Sequence, residues 1–259
     1  MYWGDNLTFK RIETIKQMLV EKNYVSFKDL EKAFPDVSTM TLRRDVERLE
    51  HEGFAMKIRG GAKKIDQSKE REDLYSKRAG RHIEEKQLLA TNALKFIEIG
   101  RSVYLDSGST IMELAKILPD VHLSIITSGP NIALEITKNH NPTVNLIGGT
   151  INSDNCSVAG PIALAGLKQF NIDMAFIAPS GYSLNGGFTV GNYAECEVKR
   201  AIIKKANMVI MLMEQEKINK SLPFTFATLK DIDVIITNGE LSKDFKKMAL
   251  KANVEIINV

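Results

Sequence analysis

The chain has 259 residues, 44% hydrophobic and 26% charged, an ordinary composition for a folded protein and a length that suits two domains. Its net charge is only +3, which excludes a polybasic chain that coats nucleic acid by charge alone. No apolar run approaches the ~18 residues of a membrane span, and the first residues carry no secretory signal. Two cysteines, and four histidines without ligand spacing, predict neither a disulfide framework nor a metal site. We therefore expect a cytoplasmic protein without cofactor, metal or membrane partner.

The positive charge is concentrated in the first quarter of the chain. Residues 1–65 contain 13 Lys and Arg against 10 Asp and Glu, whereas the remaining 22 basic and 22 acidic residues cancel. This asymmetry favours a polyanionic partner for the first quarter, although a surplus of this size is equally compatible with ordinary scatter.

Apolar residues of the first quarter recur at helical spacing. They predict helices over residues 7–21 and 26–34, with Ser26 capping the second helix. Ser38 is expected to cap a third helix over residues 39–52, which Gly53 ends. The rest of the quarter is predicted as a hairpin of two strands, over residues 54–58 and 62–65.

Two short helices, a break and a third helix with exposed arginines are typical of a helix-turn-helix, whose last helix enters the major groove. A basic hairpin beside that helix is typical of a wing. The alternative is an ordinary three-helix bundle, which shows the same spacing and whose exposed arginines are only solvated. The combination of the basic hairpin with the arginines favours DNA binding over this alternative. The predicted DNA-binding residues are Ser38, Thr39, Thr41, Arg43, Arg44, Arg48, Lys57, Arg59 and Lys63.

Residues 66–81 are strongly charged and predict a linker between a domain over residues 1–65 and another over 82–259. A long helix is expected over 82–99. Short, continuous apolar strands then alternate with helices, which is typical of a parallel sheet covered on both faces. The strands are predicted at 102–105, 123–127, 144–147, 174–178, 208–213, 234–237 and 254–257, and the helices at 110–118, 131–139, 162–169, 193–206 and 242–252.

Residues 104–114, YLDSGSTIMEL, hold the most informative turn of this second domain. An apolar strand ends in the polar turn 106–110, and a helix begins at once. Backbone N–H groups, a helix N-terminus and three hydroxyl side chains then converge on one point, which suits a phosphate or carboxylate. A simple capped turn would use the same residue types. Glycine- and serine-rich loops follow three further strands, and ligands of open α/β sheets bind beyond strand carboxyl ends.

Residues 37–62, VSTMTLRRDVERLEHEGFAMKIRGGA, resemble the DNA-binding motif of the DeoR family of bacterial transcription regulators. The matching positions are Thr41, Arg43, Arg44, Asp45, Leu49, Glu50, Gly53, Gly60, Gly61 and Ala62. The departures, Met56-Lys57 and Arg59, keep or add positive charge. Asp45 is an acid on a helix that faces DNA, so we expect it to pair with Arg44 or Arg48 and fix their direction.

The resemblance extends from about residue 11 to residue 238 and implies a sensor domain similar to sugar-phosphate isomerases such as ribose-5-phosphate isomerase. The residues that it implies at the effector site, where they would hold a phosphate or sugar hydroxyls, are Asp106, Ser107, Gly108, Ser109, Thr110, Asn131, Gly148, Gly149, Glu195 and Lys217. Residues 214–217 depart from the family's D-x-S-K segment, and Glu216 adds an acid there.

We expect a DNA-binding transcriptional regulator, by family tendency a repressor of carbohydrate metabolism genes. It would bind double-stranded operator DNA as a homo-oligomer, a dimer or tetramer, under the control of a phosphorylated sugar or related metabolite. The alternative is a sugar-phosphate isomerase, because Asp106, Glu195 and Lys217 can move protons; an isomerase, however, needs no winged helix. A DNA-binding protein with an inert second domain is disfavoured by the polar loops at four strand ends.

Overall fold

The computed structural model describes residues 4–22, 24–51, 55–58, 60–64 and 72–259. The chain forms two compact units, Met1–Gln67 and Ser68–Val259. In the described ranges, no helix is long and apolar enough to cross a membrane. The predicted helix end at Gly53, the DNA-binding prediction for Arg59 and the first part of the predicted linker, residues 66–71, lie outside the described residues.

The first unit contains three helices and a small antiparallel sheet of order β1-β3-β2. Its elements are α1 (Gly4–Lys22), β1 (Tyr24–Ser26), α2 (Phe27–Ala33), α3 (Thr39–His51), β2 (Ala55–Ile58) and β3 (Gly61–Lys64). The predicted helices and hairpin are confirmed, whereas β1 was not predicted. The Ser26 hydroxyl accepts the Asp29 N–H and the Asp29 carboxylate accepts the Ser26 N–H, each over 3.1 Å. This reciprocal cap stabilises the start of α2 by roughly 1 kcal/mol.

The second unit is built on a seven-stranded parallel sheet of order β15-β14-β12-β9-β4-β5-β6. The strands of the second unit, those of the large sheet and of two smaller ones, are β4 (Ser102–Leu105), β5 (Ser124–Thr127), β6 (Thr143–Leu146), β7 (Thr150–Asn152), β8 (Ser157–Ala159), β9 (Ile172–Ile177), β10 (Gly181–Ser183), β11 (Gly187–Val190), β12 (Ala206–Met213), β13 (Phe224–Ala227), β14 (Val234–Thr237) and β15 (Glu255–Asn258). Its α-helices are α4 (Tyr75–Ala79), α5 (Ile83–Ala93), α6 (Ser109–Lys116), α7 (Pro130–Ile136), α8 (Pro161–Leu167), α9 (Tyr193–Lys205) and α10 (Lys243–Lys251).

Both faces of the large sheet are covered. Tyr104 packs into one hydrophobic cluster, whereas its neighbours Val103 and Leu105 pack into another, and all three side chains are fully buried. Successive strand residues point to opposite faces, which explains why the strands read as continuous apolar runs. The predicted parallel α/β domain is confirmed.

Two features of the second unit differ from the sequence predictions. The helix predicted over 82–99 is wrong in its second half, because α5 gives way to a 3₁₀ turn (Leu94–Phe96) and Ile97 is extended. Leu94 and Phe96 continue the apolar pattern, but they pack against the core from the 3₁₀ turn. The sequence also gave no sign of two smaller sheets, one of order β10-β11-β13 and the other pairing β7 with β8.

Candidate DNA-binding surface and effector site

Helix α3 has one buried and one exposed face. Leu42, Val46 and Leu49 are fully buried, which fixes the helix against the rest of the first unit. Arg43 and Arg44 lie on the exposed face, as the period of the helix requires. The Arg43 guanidinium lies 5.2 Å from the centre of the Phe27 ring, a cation–π contact that limits its orientations.

The start of α3 is held by hydroxyl groups. The Ser38 hydroxyl accepts the Thr41 N–H over 3.2 Å and lies 2.9 Å from the Thr41 hydroxyl. Ser38 therefore caps α3, as the sequence predicts. The Thr39 hydroxyl donates to the Glu31 carboxylate over 2.7 Å. Ser38 and Thr39 are exposed and Thr41 is half-buried.

The hairpin of β2 and β3 is joined to α3 through Lys57. Its ammonium contacts the Glu47 carboxylate at 2.5 Å, and its N–H donates to Glu50 over 2.8 Å. Lys57 is the main reason why the pKa of Glu47 lies below its ordinary value. Lys63 is exposed on β3. The hairpin therefore presents Lys63 to solvent and uses Lys57 to hold its place beside α3.

Asp45 has a partner that the sequence did not suggest. Its carboxylate accepts from Arg11 Nε at 2.5 Å and Arg11 Nη2 at 3.2 Å, and the Asp45 side chain is only 7% exposed. The hydrogen bond to Asp45 raises the pKa of Arg11. The sequence predicted a structural role for Asp45 through Arg44 or Arg48; the role that the structure gives it is the attachment of α3 to α1 through Arg11.

A small cavity lies at the carboxyl end of β4. It is lined by Asp106, Ser107, Ser128, Ser157, Val158, Glu195, Val198 and Lys199. Its volume is about 10 Å³, which is roughly the space of one water molecule. Three of the predicted effector residues, Asp106, Ser107 and Glu195, meet here at the sheet edge where open α/β proteins bind ligands.

Asp106 is fixed by a cation from α9. The Lys199 ammonium donates to the Asp106 carboxylate, and the two side chains are 6% and 2% exposed respectively. The same carboxylate accepts the Ala178 N–H over 3.1 Å, and Lys199 also donates to the Ala178 carbonyl over 3.2 Å. Asp106 therefore holds Lys199 at the cavity wall and ties the loops after β4 and β9 together.

Glu195 is a buried carboxylate at the start of α9. Its oxygens accept the Ser157 hydroxyl over 2.5 Å, the Asn155 amide over 3.0 Å and the Asn152 amide over 3.1 Å. Burial raises the pKa of Glu195, and the nearby Glu72 carboxylate raises it further. Glu195 therefore has neighbours on β7, on β8 and in the intervening turn, a larger set than a charge at a helix start requires.

The other predicted effector residues lie apart from the cavity lining. The Thr110 hydroxyl donates to Glu214 over 2.9 Å, Gly108 is the N-cap residue of α6, and Ser109 is buried in its first turn. A Cβ at Gly149 would lie 2.7 Å from the Ala159 carbonyl, so glycine permits close packing of this loop on the end of β8.

Asn131, Gly148 and Lys217 complete the predicted set. Among the described residues, neither polar atom of the Asn131 side chain has a hydrogen bond of ordinary length, although both atoms are buried and the side chain lies near the Tyr75 hydroxyl. Gly148 packs beside Ile162 of α8. Lys217 is buried and its ammonium contacts the Glu216 carboxylate, which neutralises the acid that distinguishes this segment.

Sequence reasoning missed Lys199, Asn155, Ser128 and Ser157. Lys199 follows Glu195 by one helical turn, so helical spacing alone would have placed both on one face of α9. The other three side chains come together only when separate loops fold against one another. Cys196 is fully buried and both cysteines are free thiols.

Comparisons with known proteins agree with this two-unit organisation. Residues 11–68 match the family model of the DeoR-like helix-turn-helix domain, and residues 81–239 match that of the DeoR C terminal sensor domain. The HTH-type transcriptional regulator GlpR of Haloferax volcanii is 30% identical over 85% of this chain and 86% of its own. The transcriptional repressor AccR of Agrobacterium fabrum is 28% identical over 90% of this chain and 91% of its own.

Ribose 5-phosphate isomerase A from Neisseria gonorrhoeae is similar in structure at a TM-score of 0.39 and 11% identity, over 52% of this chain and 53% of that one. This likeness is too low to assign a ligand or an activity. The two family models match segments in both units. The similarity to the two regulators extends over most of their length. The chain belongs to the DeoR family and is a DNA-binding transcriptional regulator rather than an isomerase.

Proposed function

We propose that the chain represses genes of carbohydrate metabolism and that a phosphorylated sugar or related metabolite releases it from operator DNA. The observation that carries this proposal is the cavity of Asp106, Ser107, Glu195 and Lys199 at the carboxyl edge of the sheet. It combines hydroxyls, two carboxyl groups and an ammonium group, which suits a ligand that bears both hydroxyls and an anionic group. The likeness to a relative named as a transcriptional repressor supports the repressive sign.

Operator recognition is assigned to the exposed face of α3 and the hairpin. Arg43, Arg44 and Arg48 read base edges or phosphates in the major groove, and Ser38, Thr39 and Thr41 contact the backbone near the helix start. Lys57, Arg59 and Lys63 place positive charge beside the groove. Because helix-turn-helix proteins pair their reading helices on two half-sites, the cytoplasmic protein acts as a dimer or tetramer.

The effector must enlarge the cavity in order to bind. Its present volume accommodates about one water molecule, far less than a sugar phosphate needs. Binding therefore includes a rearrangement of the surrounding loops, and this rearrangement is the change that reaches the DNA-binding unit. A ligand that favours the rearranged state weakens operator binding by its difference in affinity for the two states.

A thermal-shift screen of the purified chain against phosphorylated sugars and their unphosphorylated counterparts tests the site. A ligand of the native state raises the melting temperature by mass action. We expect a phosphate-dependent rise with one class of sugar, and we expect it to be lost in Ser107→Asp, which places a negative charge against the ligand. Ser124→Asp, an exposed position at the start of β5 and so at the opposite end of the sheet, is the control. No shift with any compound contradicts the proposal.

A further inference from the structure

The second unit contains an internal anion beside the cavity. Glu72, the first described residue of this unit, directs its carboxylate into a cluster of donors, and its side chain is only 7% exposed. Asn155 donates to it over 3.2 Å, the Gly191 N–H donates over 3.2 Å, and the Ser180 hydroxyl also donates to it. The Arg78 guanidinium lies 3.3 Å away. We call these four donors, from Arg78, Asn155, Ser180 and Gly191, the Glu72 subsite.

The donors of the Glu72 subsite are those that bind phosphate. A guanidinium, a backbone N–H, an amide and a hydroxyl converge on one oxyanion, and hydrogen bonds to an ionised acceptor are the strong ones. A Cβ at Gly191 would lie 3.0 Å from the Glu72 Cβ, so glycine lets the backbone N–H come this close. The subsite is thus built around an anion.

The Glu72 subsite shares a wall with the cavity. The Asn155 amide donates both to Glu72 and to Glu195, which lines the cavity. Two buried carboxylates are therefore held on one amide group, an arrangement in which the Glu72 carboxylate raises the pKa of Glu195. An oxyanion that belongs to a ligand could use the same donors and would leave the Glu72 carboxylate free to return to water.

Arg78 has three contacts besides Glu72. Its Nε donates to the Asp73 carbonyl over 2.9 Å, its Nη2 donates to Asn155 over 3.3 Å, and its guanidinium lies 5.9 Å from the centre of the Tyr75 ring. The cation of the subsite is therefore oriented by contacts other than its ion pair with Glu72.

We propose that the Glu72 subsite binds the phosphate group of the effector, and that Glu72 is an internal competitor which the phosphate displaces. The sugar hydroxyls then face Asp106, Ser107 and Lys199 in the enlarged cavity. This inference rests on the proposed function for the nature of the effector. Glu72 lies near the start of the second unit, within the segment 66–81 that the sequence predicts as a linker, so its displacement marks the ligand-bound state at the start of this unit.

Titration of the full-length chain with inorganic phosphate, followed by calorimetry, tests the subsite without knowledge of the effector. If Glu72 leaves the subsite open for only about a tenth of the time, the apparent affinity of the wild type for phosphate is about tenfold weaker than that of the open subsite. Glu72→Ala should therefore bind phosphate about tenfold more tightly than the wild type. Adding Ser180→Ala to that variant should weaken the binding again, because it removes one of the four donors.

Asp173→Asn is the matched control. The Asp173 carboxylate also accepts a backbone N–H, that of Ser102 over 2.9 Å, and the hydroxyl of the same residue over 3.2 Å, but it lies at the opposite end of the sheet. The phosphate affinity of the Asp173→Asn variant should equal that of the wild type. If Glu72→Ala does not fold, Glu72→Gln removes the charge and keeps the volume, and it should also bind phosphate more tightly than the wild type.

Equal phosphate affinity in the wild type and the folded Glu72 variant overturns the subsite. That result would leave the proposed function standing, because a sugar phosphate could still release operator DNA through contacts elsewhere in the cavity. Conversely, a wild-type chain that no sugar phosphate releases from DNA contradicts the proposed function but not a tighter phosphate site in Glu72→Ala.

Discussion

Lys199 and Asp106 form a buried ion pair that joins α9 to the end of β4. Replacement of Lys199 by Met should leave the Asp106 carboxylate buried and unpaired, with a loss of about 3–5 kcal/mol in the free energy of unfolding. Urea denaturation measures this loss. Lys138→Met is the control, because that lysine is 68% exposed in its pair with Glu135 and should cost less than about 1 kcal/mol. A similar small loss for Lys199→Met would mean that the pair does not hold this edge together.

Glu195 should make stability depend on pH. Its pKa lies above the ordinary value of 4.5 in the folded chain, chiefly because of burial, so the folded state holds this proton more tightly than the unfolded state does. The resulting stabilisation is complete below 4.5 and is lost as the pH rises through the raised pKa. Glu195→Gln lacks this loss, so its unfolding free energy relative to the wild type should increase with pH.

Chemical denaturation at several pH values checks this prediction. Glu98→Gln, a change at a carboxylate that is 62% exposed, is the control and should leave the pH profile of the wild type unchanged. A constant difference between Glu195→Gln and the wild type at every pH would show that Glu195 titrates alike in the folded and unfolded chain.

Arg43 and Arg44 should carry much of the operator affinity. Each arginine lies on the exposed face of α3, and a bidentate contact to a base contributes about 1–3 kcal/mol. Single replacements by Ala should weaken binding by that amount to a DNA fragment that the purified chain selects from a random library. Fluorescence anisotropy measures the affinity, and Lys32→Ala on α2 serves as the control. If both arginine variants bind as tightly as the wild type, α3 is not the reading helix.

The sequence predicts local features well because they depend on neighbouring residues. Spacing within a single helix is enough to predict each cap, Ser26 for α2 and Ser38 for α3, and the exposed face that carries the arginines. The resemblance of residues 37–62 to the DeoR motif adds the prediction of DNA binding. Strand β1 was missed because it has only three residues and exists through its pairing with β3.

The candidate sites depend on contacts between residues that are distant in the chain. The sequence alone does not reveal such contacts. Arg11 holds Asp45, Lys199 holds Asp106, and Glu72 contacts Ser180 and Gly191. Each pair joins separate elements, so neither composition nor period identifies the partner. Lys217 illustrates a related case, because a motif suggested its place in the effector site but not its ion pair with the neighbouring Glu216.

Operator release by a phosphorylated sugar tests the central claim most directly. The measurement is the affinity of the full-length chain for its selected DNA fragment, by fluorescence anisotropy, at saturating concentrations of the sugar phosphate found by thermal shift and of its unphosphorylated counterpart. Coupling between two sites typically changes affinity about 5- to 150-fold, so the phosphorylated sugar should weaken DNA binding at least about fivefold and the free sugar should not. Unchanged affinity with every phosphorylated sugar in the panel would contradict a sensor of phosphorylated sugars.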